Sequence, residues 1–135
     1  MPYSRLFYHF VWTTKQRIPF ITQDNRVEIY RAIRKKIEAM DGMVLALNGM
    51  EEHVHLLVSI PPKLAPATCI GQVKGASSFA AARLVTSGEP FDWQDEYGVL
   101  TVSESHIPHI LDYIDKQQQH HSTGTLDPRL EFGQP

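Results

Sequence analysis

Cysteine is almost absent from this sequence, because Cys69 is the only one among 135 residues. A single thiol excludes an internal disulfide and any cysteine-rich zinc module, and it is typical of a reducing compartment. No phosphate-binding loop of the Gly-x-x-x-x-Gly-Lys-Ser/Thr type occurs, so we expect no nucleotide cofactor. We find no charged-then-apolar leader, and the apolar run over residues 6–12 is too short to span a bilayer. These absences predict a soluble cytoplasmic protein with no membrane partner.

A large net charge is also lacking, since the formal value at neutral pH is only −2. The two parts of the chain nevertheless differ. Residues 1–42 contain eight Lys/Arg and four Asp/Glu, whereas residues 43–135 contain five and eleven. A basic first part could contact phosphates while acidic groups elsewhere gather cations. The commoner explanation, that these charges only solvate helix surfaces, remains open.

Hydrophobic periodicity predicts seven elements separated by polar or Gly/Pro-containing turns. They are strands over residues 3–15, 43–48, 50–60 and 97–102 and helices over residues 26–40, 66–85 and 106–121. The order β-α-β-β-α-β-α predicts an α+β fold of the ferredoxin-like (RRM-like) kind, a split β-α-β sandwich whose antiparallel sheet has helices on one face. The third helix is then a C-terminal addition. We expect one domain over residues 1–121, followed by a tail or arm over residues 122–135.

The fourth segment of this order, residues 50–60, contains two histidines separated by one residue. Successive side chains of a strand point to opposite faces. The two sets are Val54, Leu56, Val58 and Ile60 on one face and His53, His55, Leu57 and Ser59 on the other. Two neighbouring imidazoles on one face are suited to binding a divalent ion. For the triplet alone, the commoner explanation is two half-exposed strand histidines that bind nothing.

The last predicted helix adds a phenol and an amide. Tyr113 and Gln117 are i, i+4 neighbours on one flank of its apolar stripe, which places their Cβ atoms about 5–6 Å apart. A flank position is half buried, so Tyr113 would present its hydroxyl at a rim beside the Gln117 amide. With His53 and His55, Gln117 would complete a three-ligand metal site with open positions. A phosphodiester held there would lie within reach of the Tyr113 phenol. The alternative is a boundary aromatic beside a surface glutamine.

Several motifs, in this order and spacing, resemble those of the single-tyrosine HUH transposases, the small insertion-sequence enzymes and their repeat-associated relatives. They are His53-Val54-His55, Tyr113-Ile114-Asp115-Lys116-Gln117, Val-Trp-Thr-Thr-Lys at 11–15, Gln-Val-Lys-Gly at 72–75 and Trp-Gln-Asp-Glu-Tyr-Gly at 93–98. The resemblance covers about residues 3–121. Two departures are Glu52, where the family commonly has aspartate, and Gln16, where it commonly has an aromatic residue. We expect neither of them to touch the chemistry.

The resemblance implies a transposase that cuts single-stranded DNA and recognises an imperfect hairpin. Tyr113 would be the nucleophile and would form a 5′-phosphotyrosine link and a free 3′-hydroxyl, which allows strands to be rejoined without ATP. His53, His55 and Gln117 would hold Mg²⁺ or Mn²⁺, although imidazole ligands also accept zinc or nickel. Members of the family are usually dimers, in which the last helix can complete the partner's site.

DNA contacts are predicted from the positions of cations and aromatic rings. Lys15, Arg17 and Lys74 are the candidates for holding a phosphate backbone, and Trp93 or Tyr97 could stack on bases. Solvent-facing charges and core aromatics explain the same residues equally well.

Two other functions remain as alternatives. The first is a domesticated regulator that binds hairpin DNA or RNA without cutting it, although such a protein has no need for both the histidine pair and the tyrosine–glutamine pair. The second is a different phosphate-ester enzyme with paired histidines, such as a histidine-triad hydrolase. It would require a third histidine at position 57, where this chain has Leu57.

Overall fold

The computed structural model describes residues 3–86 and 88–131. Within them, four strands and four helices follow in chain order. They are β1 (Phe7–Thr13), α1 (Gln23–Ala39), β2 (Met43–Met50), β3 (His53–Ser59), α2 (Pro66–Leu84), β4 (Gly98–Thr101), α3 (Ile107–Asp115) and α4 (Gln117–Thr123). Single 3-10 turns cover Lys15–Arg17, Glu104–His106 and Pro128–Leu130. No helix in the described ranges is both long and apolar enough to cross a bilayer.

The four strands form one antiparallel sheet in the order β2-β3-β1-β4. This order confirms the predicted split β-α-β sandwich. Helix α1 connects β1 to β2 and helix α2 connects β3 to β4, and in the sheet another strand lies between the two strands of each of these units. In the central pair Val11 lies opposite His55 and Thr13 lies opposite His53. The register therefore fixes which β1 side chains surround the two histidines.

One face of the sheet carries the main core. Phe10 and Trp12 of β1 and Leu56 of β3 are fully buried there, against isoleucines of α1 and α2 such as Ile33 and Ile70. The predicted alternation of β3 is confirmed, since its even-numbered apolar residues all belong to this cluster. Burial of large aliphatic and aromatic side chains is the main favourable term in folding, so this layer holds the sheet rigid beneath the site.

The second face of the sheet is covered by α3 and by the end of the chain. Leu57 of β3 and Ala46 of β2 pack there against Ile110 and Ile114 of α3 and against Leu130. The C-terminal addition thus lies on the face opposite to α1 and α2. The two histidines of β3 project into this second layer.

The predicted helix over residues 106–121 is divided in two at Lys116, whose φ of −105° and ψ of 30° are not helical. The side-chain amide nitrogen of Asn48 on β2, Nδ2, donates to the backbone carbonyl oxygens of Ile114 (3.0 Å) and Asp115 (3.3 Å). These carbonyls lie at the end of α3, where intrahelical donors run out. The division places Gln117 at the first position of α4, facing the sheet.

Gly49 lies where β2 turns towards β3. A Cβ atom at this position would come within 2.2 Å of the backbone oxygen of His53, a distance that no side chain can adopt. The close approach of the two backbones therefore requires glycine next to the first histidine.

Candidate active site

The two histidines of β3 are completely enclosed in the second layer. Their exposed fractions are 1% for His53 and 0% for His55, so the half-exposed alternative is wrong. The ring centroids lie 5.1 Å apart. Both Nε2 atoms approach the same carboxylate oxygen, Oε1 of Glu131, at 3.5 Å from His53 and 3.1 Å from His55. The imidazoles therefore converge on one point.

Glu131 lies in the tail (residues 122–135), in which we predicted no functional residue from the sequence. Its Oε2 accepts hydrogen bonds from the hydroxyl of Tyr113 and from Nε2 of Gln117, the latter at 3.3 Å. The backbone N–H of Asp127 donates to the Tyr113 hydroxyl at 3.1 Å, and Leu130 is buried against α3. These contacts dock residues 127–131 over the histidines. Residues 132–135 of the expected tail lie outside the described residues.

Tyr113 and Gln117 are both buried, with exposed fractions of 5% and 0%. The sequence predicted a half-buried rim for them, which is wrong because the docked tail covers this flank of the helix. Gln117 Oε1 lies 3.1 Å from His53 Nε2, and the Tyr113 ring stacks on His120 at 4.5 Å. One chain thus brings together the four residues predicted for the chemistry.

Each histidine has a second partner at its Nδ1 atom. Glu52 Oε1 lies 2.5 Å from Nδ1 of His53, so the expectation that Glu52 lies outside the chemistry is wrong. A carboxylate in this place accepts the Nδ1–H and leaves the Nε2 lone pair free for a ligand. Nδ1 of His55 lies 2.9 Å from Nε2 of His9 on β1. The sequence did not indicate this residue, because strand pairing cannot be read from β1 alone.

The donor atoms fit a divalent cation. One ligand atom each from His53, His55 and Glu131 lies within 4.8 Å of the others, and Gln117 Oε1 is next to them. A cation with ligand distances near 2.1 Å places neighbouring ligand atoms about 3 Å apart, close to the separations of 3.1–3.5 Å found here. Two imidazole nitrogens with carboxylate and amide oxygens form a mixed donor set that accepts several divalent metals.

The protonation states also suit a cation. Burial alone would raise the pKa of Glu131, but hydrogen bonds from His55 and Tyr113 outweigh it and lower that pKa to about 2. Burial lowers the pKa of His55 and raises the pKa of Tyr113, as does the bond of its hydroxyl to Glu131. At neutral pH the site therefore contains a carboxylate, an uncharged His55 and a protonated phenol.

We expect the stability of the metal-free protein to fall on acidification, beginning near pH 6.5. Burial lowers the pKa of His9 from 6.5 to about 3, so the unfolded chain binds the proton first and stability is lost between these values. Glu131, lowered from 4.5 to about 2, adds a further loss below about pH 4.5. Urea unfolding at a series of pH values measures this slope. It should be smaller for His9→Phe between pH 6.5 and 4.5, and an unchanged slope would contradict the assignment.

The candidate DNA contacts lie at different distances from this centre. The hydrogen bond with His53 is the main cause that lowers the pKa of Glu52, and the charge of Arg17, on the 3-10 turn after β1, adds to it. The charge of Arg17 therefore acts next to the histidine pair. Lys15 is exposed on the same turn. Lys74 donates from Nζ to the backbone oxygens of Gln94 (2.5 Å) and Asp95 (3.2 Å), so it fixes the loop before β4.

The aromatic candidates belong to the main core. Trp93 is 4% exposed, packs edge-on against Trp12 and donates to Ser77 Oγ at 3.0 Å. Its indole is therefore not available to stack on bases, and the stacking prediction is wrong for this residue. Tyr97 packs against Phe10 in the same core.

Comparison with known proteins places these features in a family. A family model for IS200-like transposases matches residues 2–117. Over 122 residues the chain is 30% identical to the ISDra2 transposase TnpA of Deinococcus radiodurans, covering 84% of each protein. It is 28% identical over 123 residues to the transposase for insertion sequence element IS200 of Salmonella typhimurium, covering 87% of this chain and 80% of that protein.

Two solved structures share the fold. A Deinococcus radiodurans protein classed as a transposase superimposes with a TM-score of 0.68 at 26% identity, over 87% of this chain and 95% of the other. A REP-associated tyrosine transposase bound to a REP hairpin superimposes with a TM-score of 0.66 at 16% identity, over 93% of this chain and 76% of the other. The second likeness shows the fold alone.

Proposed function

Because this chain belongs to the family of IS200-like transposases, we propose that it cuts and rejoins single-stranded DNA through metal-dependent attack by Tyr113. The main support is one observation: the Tyr113 hydroxyl and the Nε2 atoms of His53 and His55 all meet the carboxylate of Glu131. A nucleophile and a cation-binding group are thus joined by one side chain in one subunit. This arrangement suits phosphoryl transfer, in which positioning and charge stabilisation supply most of the catalysis.

The proposed ligands of the cation are His53, His55 and Gln117, to which the structure adds Glu131. When bound, Mg²⁺ or Mn²⁺ would neutralise charge on the phosphate oxygens. Tyr113 would form the bond to phosphorus while the bond from phosphorus to the 3′-oxygen breaks. The phenolic proton would leave to solvent, while Oε2 of Glu131, which already accepts that hydrogen bond, orients the hydroxyl, and the departing 3′-oxygen would take a proton from solvent.

The product would be a 5′-phosphotyrosine link and a free 3′-hydroxyl. Attack by a 3′-hydroxyl on the link would rejoin strands and regenerate the tyrosine, so the covalent bond keeps the phosphoester energy and no nucleotide is needed. This agrees with the lack of a phosphate-binding loop of the Gly-x-x-x-x-Gly-Lys-Ser/Thr type in the sequence.

The proposed substrate is single-stranded DNA with an imperfect hairpin. The hairpin bound to the REP-associated structural neighbour supports this choice. Lys15 and Arg17, on the turn beside the histidines, and Lys74 are proposed to hold the phosphate backbone. We also propose a homodimer, although the groups of the site already meet within one chain and do not need a partner to assemble.

The test is whether a covalent adduct forms. A hairpin-bearing single-stranded DNA labelled at its 3′ end is incubated with the protein and Mn²⁺ or Mg²⁺, then separated under denaturing conditions. We expect the label to migrate with the protein, and chelation with EDTA to prevent this. Hairpin binding without an adduct under any divalent ion would overturn the proposal in favour of a regulator that binds but does not cut. Comparing the binding of a DNA hairpin with that of an RNA hairpin of the same sequence would then show which nucleic acid such a regulator prefers.

A further inference from the structure

His9 lies on β1 within the layer that contains the candidate metal centre. It is completely buried, its ring stacks on that of His55 at 5.1 Å and 26°, and its Nε2 lies 2.9 Å from Nδ1 of His55. Its other nitrogen, Nδ1, has no hydrogen-bond partner among residues 3–86 and 88–131. A buried histidine paired by one nitrogen only, and paired to another histidine, calls for an explanation.

The contact between the two rings can have only two forms. A neutral imidazole carries one N–H and one lone pair. If His9 donates, His55 accepts at Nδ1 and carries its own hydrogen on Nε2, where no cation can bind. If His55 donates from Nδ1, its Nε2 lone pair is free, and His9 carries its hydrogen on Nδ1.

Each form belongs to a different state of the site. Nε2 of His55 lies 3.1 Å from Oε1 of Glu131, and a carboxylate can only accept. Without a cation, His55 therefore donates from Nε2 to Glu131, and His9 donates to Nδ1 of His55. Binding of a cation at Nε2 requires the opposite form. Both rings remain neutral throughout, so the change moves hydrogens between ring nitrogens without changing the charge of the pair.

We propose that His9 is a positioning residue that accepts the Nδ1–H of His55 in the tautomer able to bind a cation, an inference that rests on the metal-dependent function proposed above. It does for His55 what the carboxylate of Glu52 does for His53, which is to accept the Nδ1–H and leave Nε2 free. Unlike a carboxylate, His9 is able to reverse its role when no cation is present. A residue at position 9 that cannot accept a hydrogen bond would leave the Nδ1–H of His55 unpaired in the cation-binding form.

The test measures cation affinity rather than activity. His9→Phe keeps a ring of similar size but removes the acceptor, and we expect Mn²⁺ affinity, measured by calorimetry or electron paramagnetic resonance, to fall about tenfold to a hundredfold. His9→Gln, whose amide oxygen can accept, should recover part of this loss. Val11→Ala is the matched control, because Val11 is buried on the same strand directly opposite His55 and makes no hydrogen bond through its side chain.

A second measurement reads the tautomer itself. Long-range ¹H–¹⁵N spectra of histidine-labelled protein should show the hydrogen of His55 on Nε2 without a cation and on Nδ1 with saturating Mg²⁺. Equal Mn²⁺ affinity of wild type and His9→Phe would overturn this inference but not the proposed function. The inference would also be overturned if His9→Phe, His9→Gln and Val11→Ala all lost Mn²⁺ affinity in proportion to their loss of melting temperature. A wild-type chain that binds neither ion would overturn the proposed function as well.

Discussion

Replacing Tyr113 by phenylalanine is expected to lower covalent adduct formation by at least about a thousandfold, since removal of a nucleophile leaves only the residual catalysis of the surrounding groups. The substitution keeps the ring that stacks on His120 and removes only the hydroxyl. Hairpin binding, measured by gel shift or fluorescence anisotropy, should remain within about threefold of wild type. The lost hydrogen bonds to Glu131 and from the Asp127 N–H should also cost about 1–3 kcal/mol of stability. The melting temperature must therefore be measured alongside.

Tyr30 offers the same substitution at a position without chemistry. Its hydroxyl is buried on α1 with no hydrogen-bond partner among the described residues, so removing it leaves no group unpaired. Tyr30→Phe should therefore form the adduct at the wild-type rate and be at least as stable as wild type. If Tyr113→Phe still formed the adduct at more than about a tenth of the wild-type rate, another nucleophile would be responsible.

Much of this molecule follows from local sequence patterns. The alternation through β3 places Leu56 and Val58 in the main core and His53 and His55 on the other face because a strand has a period of two. The order of strands and helices leaves few alternatives to the observed sheet. The i, i+4 spacing predicts that Tyr113 and Gln117 lie on the same flank. They remain neighbours in the structure, although the helix is divided between them.

The remaining features depend on contacts between distant parts of the chain. Glu131 contacts His55, which lies 76 residues away in the sequence. The 3-10 turn before Glu131 and the Gly- and Pro-containing residues around it show no hydrophobic periodicity that would predict a buried carboxylate. The division at Lys116 depends on Asn48 of another element. The full burial of Tyr113 follows from docking of the tail, so sequence reasoning that stopped at residue 121 predicted a half-exposed rim.

The carboxylate from the tail gives the second large expected effect. Glu131→Gln keeps the shape of the side chain but removes its charge, and we expect Mg²⁺ affinity to fall at least tenfold to a hundredfold, the cost found when even an outer partner of a metal ligand is lost. Mg²⁺ is a hard cation that prefers carboxylate oxygens, whereas Ni²⁺ and Zn²⁺ bind imidazole well. Calorimetric titrations should therefore show a smaller loss for Ni²⁺ and Zn²⁺ than for Mg²⁺, and the adduct rate in Mg²⁺ should fall in parallel with affinity.

The same substitution at Glu104 provides the control, because that carboxylate is exposed and pairs with Arg5. Glu104→Gln should leave cation affinity and adduct formation unchanged. The position of Glu131 between Tyr113 and His55 also makes the opposite result informative. If Glu131→Gln bound Mg²⁺ as tightly as wild type and formed the adduct faster, the carboxylate would be an obstacle that a phosphodiester displaces rather than a ligand. Reduced affinity and reduced rate together are what a ligand requires, since removing an obstacle cannot weaken cation binding.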